Sequence, residues 1–399
     1  MNVAFVHPDL GLGGAERLVV DAASELRARG HRVVLLTARH DPGRTFPETI
    51  DGSLDVRVGA RLLPAHVAGR LRAPCAIART AWLGVTLRRL PIRPDVVLCD
   101  LVPHAIPFIR RVVRRPVVLY CHYPDRLLTP PRTGIMHWYR LPIDRLEERG
   151  TVRADLVLVN SRFTAQRLGD VFPNLDRSPI VLHPGVAPFT SPDLDETPPP
   201  GPIAILSICR FDPRKNLALA IDAFAAVRAR LPDTLAARLR LVLAGSADPR
   251  LPEQSALLVA LAERARALGV YGAVEFHPSP SEAERRQLLS ACRVVVYTPR
   301  DEHFGYVPLE AMAAGRPVVT VNHGGPAETV RDGETGLLCA PTADAFAAAL
   351  ERLLSDGALA VRLGRLGRHH VAERFSRAAF GQQLDEILRE LVTRSPLAP

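Results

Sequence analysis

The strongest constraint in this sequence is a rhythm: short, mainly apolar runs return at intervals, with helical patterns between them, in two successive series. In the first series the runs are residues 3–6, 33–36, 96–99, 117–121 and 156–159. Apolar stretches of this length without polar alternation suit strands buried on both faces, which is the condition of a parallel sheet. Between the first two lies a segment with Leu18, Val19, Ala22, Ala23 and Leu26 at helical spacing, and it stops at Gly30. Glycine accepts the left-handed conformation of a helix C-cap, so the helix is expected to end there. Strand, helix and strand in this order make a right-handed crossover unit, and a chain of such units is an α/β fold.

The first series fades near residue 182, is interrupted by a Pro- and Asp-rich stretch over 184–202, and restarts at 203–208. Further strands are expected at 239–244, 274–276, 294–297 and 317–321, and helices at 253–268, 282–289 and 308–314. The chain is therefore expected to hold a Rossmann-like domain over 1–190, a linker over 191–202, a second Rossmann-like domain over 203–375 and a terminal helical segment over 376–399. Folds of this kind bind ligands beyond the carboxyl ends of their strands, so two such domains facing each other across a cleft would place the site there.

A chain of 399 residues with 47% hydrophobic and 23% charged residues is long enough to bury two cores. The formal charge of +9 favours an anionic partner, whether nucleic acid, a phospholipid surface or a phosphorylated small molecule. No basic run is interleaved with aromatic residues as in single-strand binders, which argues against nucleic acid. Cys75, Cys99, Cys121, Cys209, Cys292 and Cys339 are scattered without C-x-x-C spacing and read as small core residues in a reducing compartment. The start shows no leader pattern, and no window approaches the roughly 18 apolar residues of a membrane span. A cytosolic protein is expected, with peripheral contact at the inner face of a membrane as an option. Arg110, Arg111, Arg114 and Arg115, with residues 83–90 upstream, are the candidate surface for anionic lipid.

Four segments carry residues suited to chemistry. The glycine-rich turn His7-Pro8-Asp9-Leu10-Gly11-Leu12-Gly13-Gly14-Ala15-Glu16 opens the first helix. It is either a tight turn or a place where free backbone N–H groups face a phosphate or sugar. A dinucleotide fingerprint would need glycine where Glu16 stands and an acid near Arg39, so the turn argues against NAD. His122 follows the strand 117–121 and either meets a sugar hydroxyl or phosphate or caps its own loop. Arg210 and Lys215 flank the turn after strand 203–208, close to a helix start. There guanidinium, ammonium and helix dipole would converge on a diphosphate, unless both cations are simply solvated. Finally, Glu302 and Glu310 bracket a loop-to-helix junction containing Phe304 and Gly305. Carboxylates accept paired hydrogen bonds from vicinal hydroxyls, and glycine lets backbone approach a ligand.

Together these segments resemble the GT-B glycosyltransferases of the large retaining family 4, whose hallmarks are E-x7-E and an Arg/Lys pair. The nearest resemblance is to the Alg2-type α-mannosyltransferases, which elongate lipid-linked oligosaccharides from GDP-mannose. The stretches that carry it are Gly13-Gly14-Ala15-Glu16-Arg17, Tyr120-Cys121-His122-Tyr123-Pro124-Asp125, Val159-Asn160-Ser161, Arg214-Lys215-Asn216-Leu217, Glu302-His303-Phe304-Gly305 and Asn322-His323-Gly324-Gly325-Pro326. The resemblance implies an acceptor-side first domain and a second domain that binds the nucleotide sugar. It implies that Arg210 and Lys215 bind the donor diphosphate, Glu310 the ribose and Glu302 the donor sugar, with Phe304 and Gly305 beside them. It places His122 on the sugar or its phosphate and Gly13 and Gly14 at the donor's border. Transfer with retention, without metal or cofactor, to a glycolipid or lipid-linked saccharide follows from the same likeness. A UDP-sugar donor with another acceptor, and a non-catalytic sugar-nucleotide-binding scaffold, stay open as alternatives. One departure stands out: Alg2-like chains often end in membrane-embedded segments, whereas this one ends in an amphipathic helix over 373–392. In GT-B enzymes such a helix commonly packs back on the first domain.

Overall fold

The computed structural model describes every residue except 61, 68–70, 130–133, 249 and 395–399, and leaves aside the side chains of 135 and 136. The chain divides into two units, Met1–Gly185 with Arg377–Pro399, and Val186–Ser376.

The first unit holds the strands β1 (Asn2–His7), β2 (Arg32–Thr37), β3 (Asp55–Val58), β4 (Val96–Asp100), β5 (Val117–Cys121), β6 (Leu156–Val159) and β7 (Ile180–Val181). They form one sheet in the order β3-β2-β1-β4-β5-β6-β7, with all pairings parallel. Because side chains alternate across a strand, each apolar run feeds two cores. Val3, Phe5, Leu98 and Val118 pack with the helix Gly14–Ala28 on one side. Ala4, Val6, Val97 and Leu119 pack with helices Arg72–Leu87 and Ile106–Val113 on the other.

The second unit holds β8 (Ile203–Ile208), β9 (Leu239–Gly245), β10 (Val274–Pro278), β11 (Val294–Tyr297), β12 (Val318–Val321) and β13 (Leu337–Cys339). Their order is β10-β9-β8-β11-β12-β13, again parallel throughout. In each sheet the strand order reverses beside the first strand, between β1 and β4 and between β8 and β11. Such a switch point leaves a crevice outside the carboxyl ends of the strands where two loops diverge.

Three features differ from the sequence reading. The stretch 191–202, expected as a linker, is strapped to the second unit. Arg316 Nη2 donates to Ser191 Oγ at 2.8 Å and Pro192 O at 3.0 Å, and Arg293 Nη2 to Glu196 O at 2.9 Å. The helix expected over 373–392 starts later, as Arg377–Arg394, and residues 373 and 374 end a separate helix, Gly357–Arg374. Phe375 separates the two by entering the second unit's core while its carbonyl accepts the Val186 N–H at 2.8 Å. The helix Arg377–Arg394 then lies on the first unit, burying Phe380, Leu384 and Leu388 with Leu18 and Val19; the last five residues of the terminal segment lie outside the described ones. Third, part of the candidate lipid-facing surface over 83–90 and 110–115 is committed elsewhere, while Arg88, Arg89, Arg111 and Arg114 are exposed. Leu83 and Leu87 are buried in the core, and Arg110 Nη2 donates to Asp155 Oδ1 at 2.6 Å. Among the described residues no helix is long and apolar enough to cross a membrane.

Candidate active site

At the second unit's switch point the chain leaves β8 through Cys209 and Arg210 into a tight turn. Asp212 fixes this turn, since its carboxylate accepts the Arg214 N–H at 2.9 Å and caps a single 3-10 turn, Pro213–Lys215. Arg214 holds the Asp212 carboxyl down to about 2, against the opposing effect of burial. Asn216 then takes φ 51° and starts the helix Leu217–Arg230. The turn brings Lys215 Nζ to 2.5 Å from Glu302 Oε2, and the Lys215 carbonyl accepts the Thr298 hydroxyl at 3.0 Å. Residues 87 positions apart in sequence are thus locked at the tips of neighbouring strands.

Glu302 is held from three directions. Its carboxylate also accepts the Tyr297 hydroxyl at 2.7 Å, and its backbone carbonyl accepts the Gly325 N–H at 2.8 Å. Gly325 is required by close approach: a Cβ there would fall 2.3 Å from the Phe304 Cα. Gly305, at φ +84°, then turns the chain into the helix Tyr306–Ala313. Burial alone would raise the Glu302 carboxyl, but the Lys215 charge and the bonds from Lys215 and Tyr297 outweigh it and hold it below the usual range. Glu302 is therefore an anion at neutral pH. The Tyr297 phenol is pushed well up by burial and by the Glu302 charge, so it stays a donor.

Glu310 lies one turn into the helix Tyr306–Ala313 and pairs with Arg285. Burial raises its carboxyl above the ordinary value, and Arg285 offsets this only in part. The structure thus brings Lys215 and Glu302 into contact and sets Glu310 in a separate ion pair. Arg210 stands at the strand tip with its side chain 59% exposed, its guanidinium 4.0 Å from Asp212. Phe304, expected beside the donor, has its ring in the core with only 3% of the residue exposed, so its backbone is what it can offer a ligand. His303, next to Glu302, is lowered to about 4, chiefly by burial and further by Lys215 and Arg214.

The first unit has its own cluster at the matching switch point. His7 ends β1, Asp100 ends β4 and His122 follows β5. Asp100 Oδ2 lies 2.9 Å from His7 Nδ1, and its Oδ1 lies 2.8 Å from His122 Nε2. The pairing of His7 with Asp100 leaves no mark in the sequence, because it spans 93 residues. The glycine turn packs beside them. Gly13 caps the helix Gly14–Ala28 in extended conformation, and Glu16 folds back so that its Oε2 sits 2.3 Å from where a Gly13 Cβ would be. The helix start that the sequence offers to a phosphate thus carries a carboxylate of its own. Among the described residues no group of His, Cys, Asp and Glu converges in a way that would hold a metal ion.

Residues 12–188 match the family described as Glycosyltransferase Family 4, and residues 194–370 that described as Glycosyl transferases group 1. The solved structure of sucrose-phosphate synthase from Thermosynechococcus elongatus shares the fold, with a TM-score of 0.76 and 23% identity over 99% of this chain and 100% of that one. Two parallel sheets, each with charged groups gathered at its switch point, together with these matches define a glycosyltransferase of the GT-B class. The human protein named Alpha-1,3/1,6-mannosyltransferase ALG2 is 41% identical over 402 residues, covering 98% of this chain and 96% of that protein. The protein of the same name from Rhizomucor pusillus is 37% identical over 424 residues, covering 99% and 93%. The chain belongs to the ALG2 family of α-mannosyltransferases.

Proposed function

We propose that the chain transfers mannose from GDP-mannose to a lipid-linked saccharide or other glycolipid, with retention and without a metal. The observation that carries this reading is the Lys215–Glu302 contact at 2.5 Å, braced by Tyr297 and lying beyond the strand tips near the exposed Arg210. Departure of a nucleoside diphosphate builds negative charge on its β-phosphate. Cations fixed in advance stabilise that charge more in the transition state than in the ground state. Arg210 offers a planar fork for phosphate oxygens, and Lys215 has ammonium protons left after its bond to Glu302. The Glu302 carboxylate, charged and immobile, accepts hydrogen bonds from sugar hydroxyls, and Glu310 takes the ribose. In the first unit, His122 is the candidate contact to the sugar or its phosphate, and Gly13 and Gly14 are candidates to border the donor. Same-face attack by the acceptor hydroxyl, with its proton passing to the departing phosphate, accounts for retention without a covalent intermediate.

The +9 charge and the exposed Arg111 and Arg114 beside the 42% exposed Phe108 favour a peripheral contact with anionic lipid at a cytoplasmic membrane face. The transfer itself is tested by incubating the protein with a polyprenyl-linked saccharide and either GDP-mannose or UDP-glucose, and weighing the product by mass spectrometry. GDP-mannose is expected to add hexose, and Glu302→Gln to slow this by about a hundredfold. Equal rates for Glu302→Gln and the wild type would remove the role given to Glu302, and product from UDP-glucose alone would overturn the donor.

A further inference from the structure

The first unit's buried cluster has no counterpart in the reading above beyond His122, and its geometry is specific. Asp100 is 4% exposed and His7 1%, yet these polar groups stand side by side at the tips of β1 and β4, the strands that flank the switch point. A carboxylate in such a place is costly unless it is paired. Asp100 has an imidazole on each oxygen, at 2.9 Å and 2.8 Å. The contact with His7 is an aligned hydrogen bond, whereas His122 Nε2 sits within ion-pair range but off the hydrogen-bond line. His122 is also fixed from behind. Its backbone carbonyl accepts the Asn160 side-chain N–H at 3.0 Å, and its ring lies 5.0 Å from that of Tyr120.

From this arrangement we infer that Asp100 is a positioning residue for His122, with His7 as its second clamp. The inference rests on the reading of His122 as a contact to the donor sugar or its phosphate. A carboxylate facing one ring nitrogen of a histidine keeps a proton on that nitrogen and sets the ring's direction. In His122 the nitrogen facing the carboxylate is Nε2, where the Asp100 charge favours the proton without an aligned bond, and Nδ1 is then the acceptor for a sugar hydroxyl. His7 keeps Asp100 in register: its Nδ1 bonds Oδ2, so only Oδ1 faces His122. The two imidazoles and burial act on Asp100 in opposite senses, and the carboxyl settles at about 2, charged at every working pH. The far nitrogen of His7 lies 4.0 Å from Glu16, so the line of groups runs from the glycine turn through β1 and β4 to β5.

The test compares the full-length wild type with Asp100→Asn, His7→Leu and His122→Gln. It measures kcat and KM for GDP-mannose and the ring-nitrogen resonances of 15N-histidine protein, His122→Gln assigning the signal. Asp100→Asn keeps the shape and removes the charge. It is expected to lower kcat by about 10–100-fold while KM for the donor changes much less, and to shift the His122 ring-nitrogen signals toward a mixture of tautomers. A lower Tm with kcat and the His122 signals unchanged would overturn the inference, because a merely structural role moves stability alone. If Asp100→Asn does not fold, His7→Leu decides. His7→Leu removes the donor toward Asp100 Oδ2 and should shift the His122 signals and lower kcat, whereas no change in either would overturn the inference. Should His122→Gln itself retain full turnover, the reading of His122 fails. Asp100→Asn without effect beside an inactive His122→Gln is a failure of the positioning role alone.

Discussion

At the scale of single residues, Glu302 owes its charge to Lys215. The pair contributes stability above the carboxyl's unfolded value of 4.5, and that contribution is lost as pH falls through the lowered folded value. In Lys215→Met the opposing effects change places: burial is no longer outweighed, the Glu302 carboxyl rises above 4.5, and stability then falls as pH rises through its new value. Melting temperatures of both proteins between about pH 3 and 8 check this, and parallel curves would contradict it. The sequence made one half of this site legible. Arg210, Lys215 and Glu302 follow apolar runs in the turns at strand tips, and Glu310 lies eight residues after Glu302 in the helix that comes next. Their partners were not legible. Tyr297 reads as the last residue of a buried strand, Arg285 as one more charge on a helix, and His7 and Asp100 as strand ends 93 residues apart. Each acquires meaning only through tertiary contact, for which a single sequence holds no local signal.

At the scale of elements, two glycines separate backbone conformation from close approach. Gly325 has an ordinary helical φ of −57°, yet a Cβ would lie 2.5 Å from the Phe304 carbonyl oxygen. Gly30 has φ +84° and open space around it. Gly30→Ala is expected to cost about 1 kcal/mol from left-handed strain and to leave turnover unchanged. Gly325→Ala must push the 302–305 segment away, and it is expected to lower turnover at least as much as Glu302→Gln while the second unit stays folded. Chemical denaturation and mannosyl transfer on both variants separate the two effects, and an active Gly325→Ala would contradict the packing described. The long buried strands and the helices with one clear apolar face were plain in the sequence because burial on both sides leaves unbroken runs. Edge elements were not. β3 reads Asp-Val-Arg-Val with no fully buried residue, β13 has three residues, and the break at Phe375 arises because one aromatic ring joins the second unit's core while the next helix returns to the first.

For the whole molecule, the terminal helix makes the first unit depend on residues nearly 400 positions along the chain. Phe380 is 2% exposed against the helix Gly14–Ala28, and Phe380→Ala is expected to cost about 3–5 kcal/mol. Calorimetric unfolding should show the first unit melting earlier while the transition of the second, whose cores do not include this helix, stays in place. A uniform shift of all unfolding would speak against that assignment. The proposed function requires the second unit to bind a diphosphate through the cations Arg210 and Lys215 at its switch point. Isothermal titration of GDP into the wild type, Arg210→Ala and Lys215→Ala tests this directly. Each variant is expected to bind at least about tenfold more weakly, a loss of about 1.4 kcal/mol or more, whereas wild-type affinity in both variants would contradict the site itself.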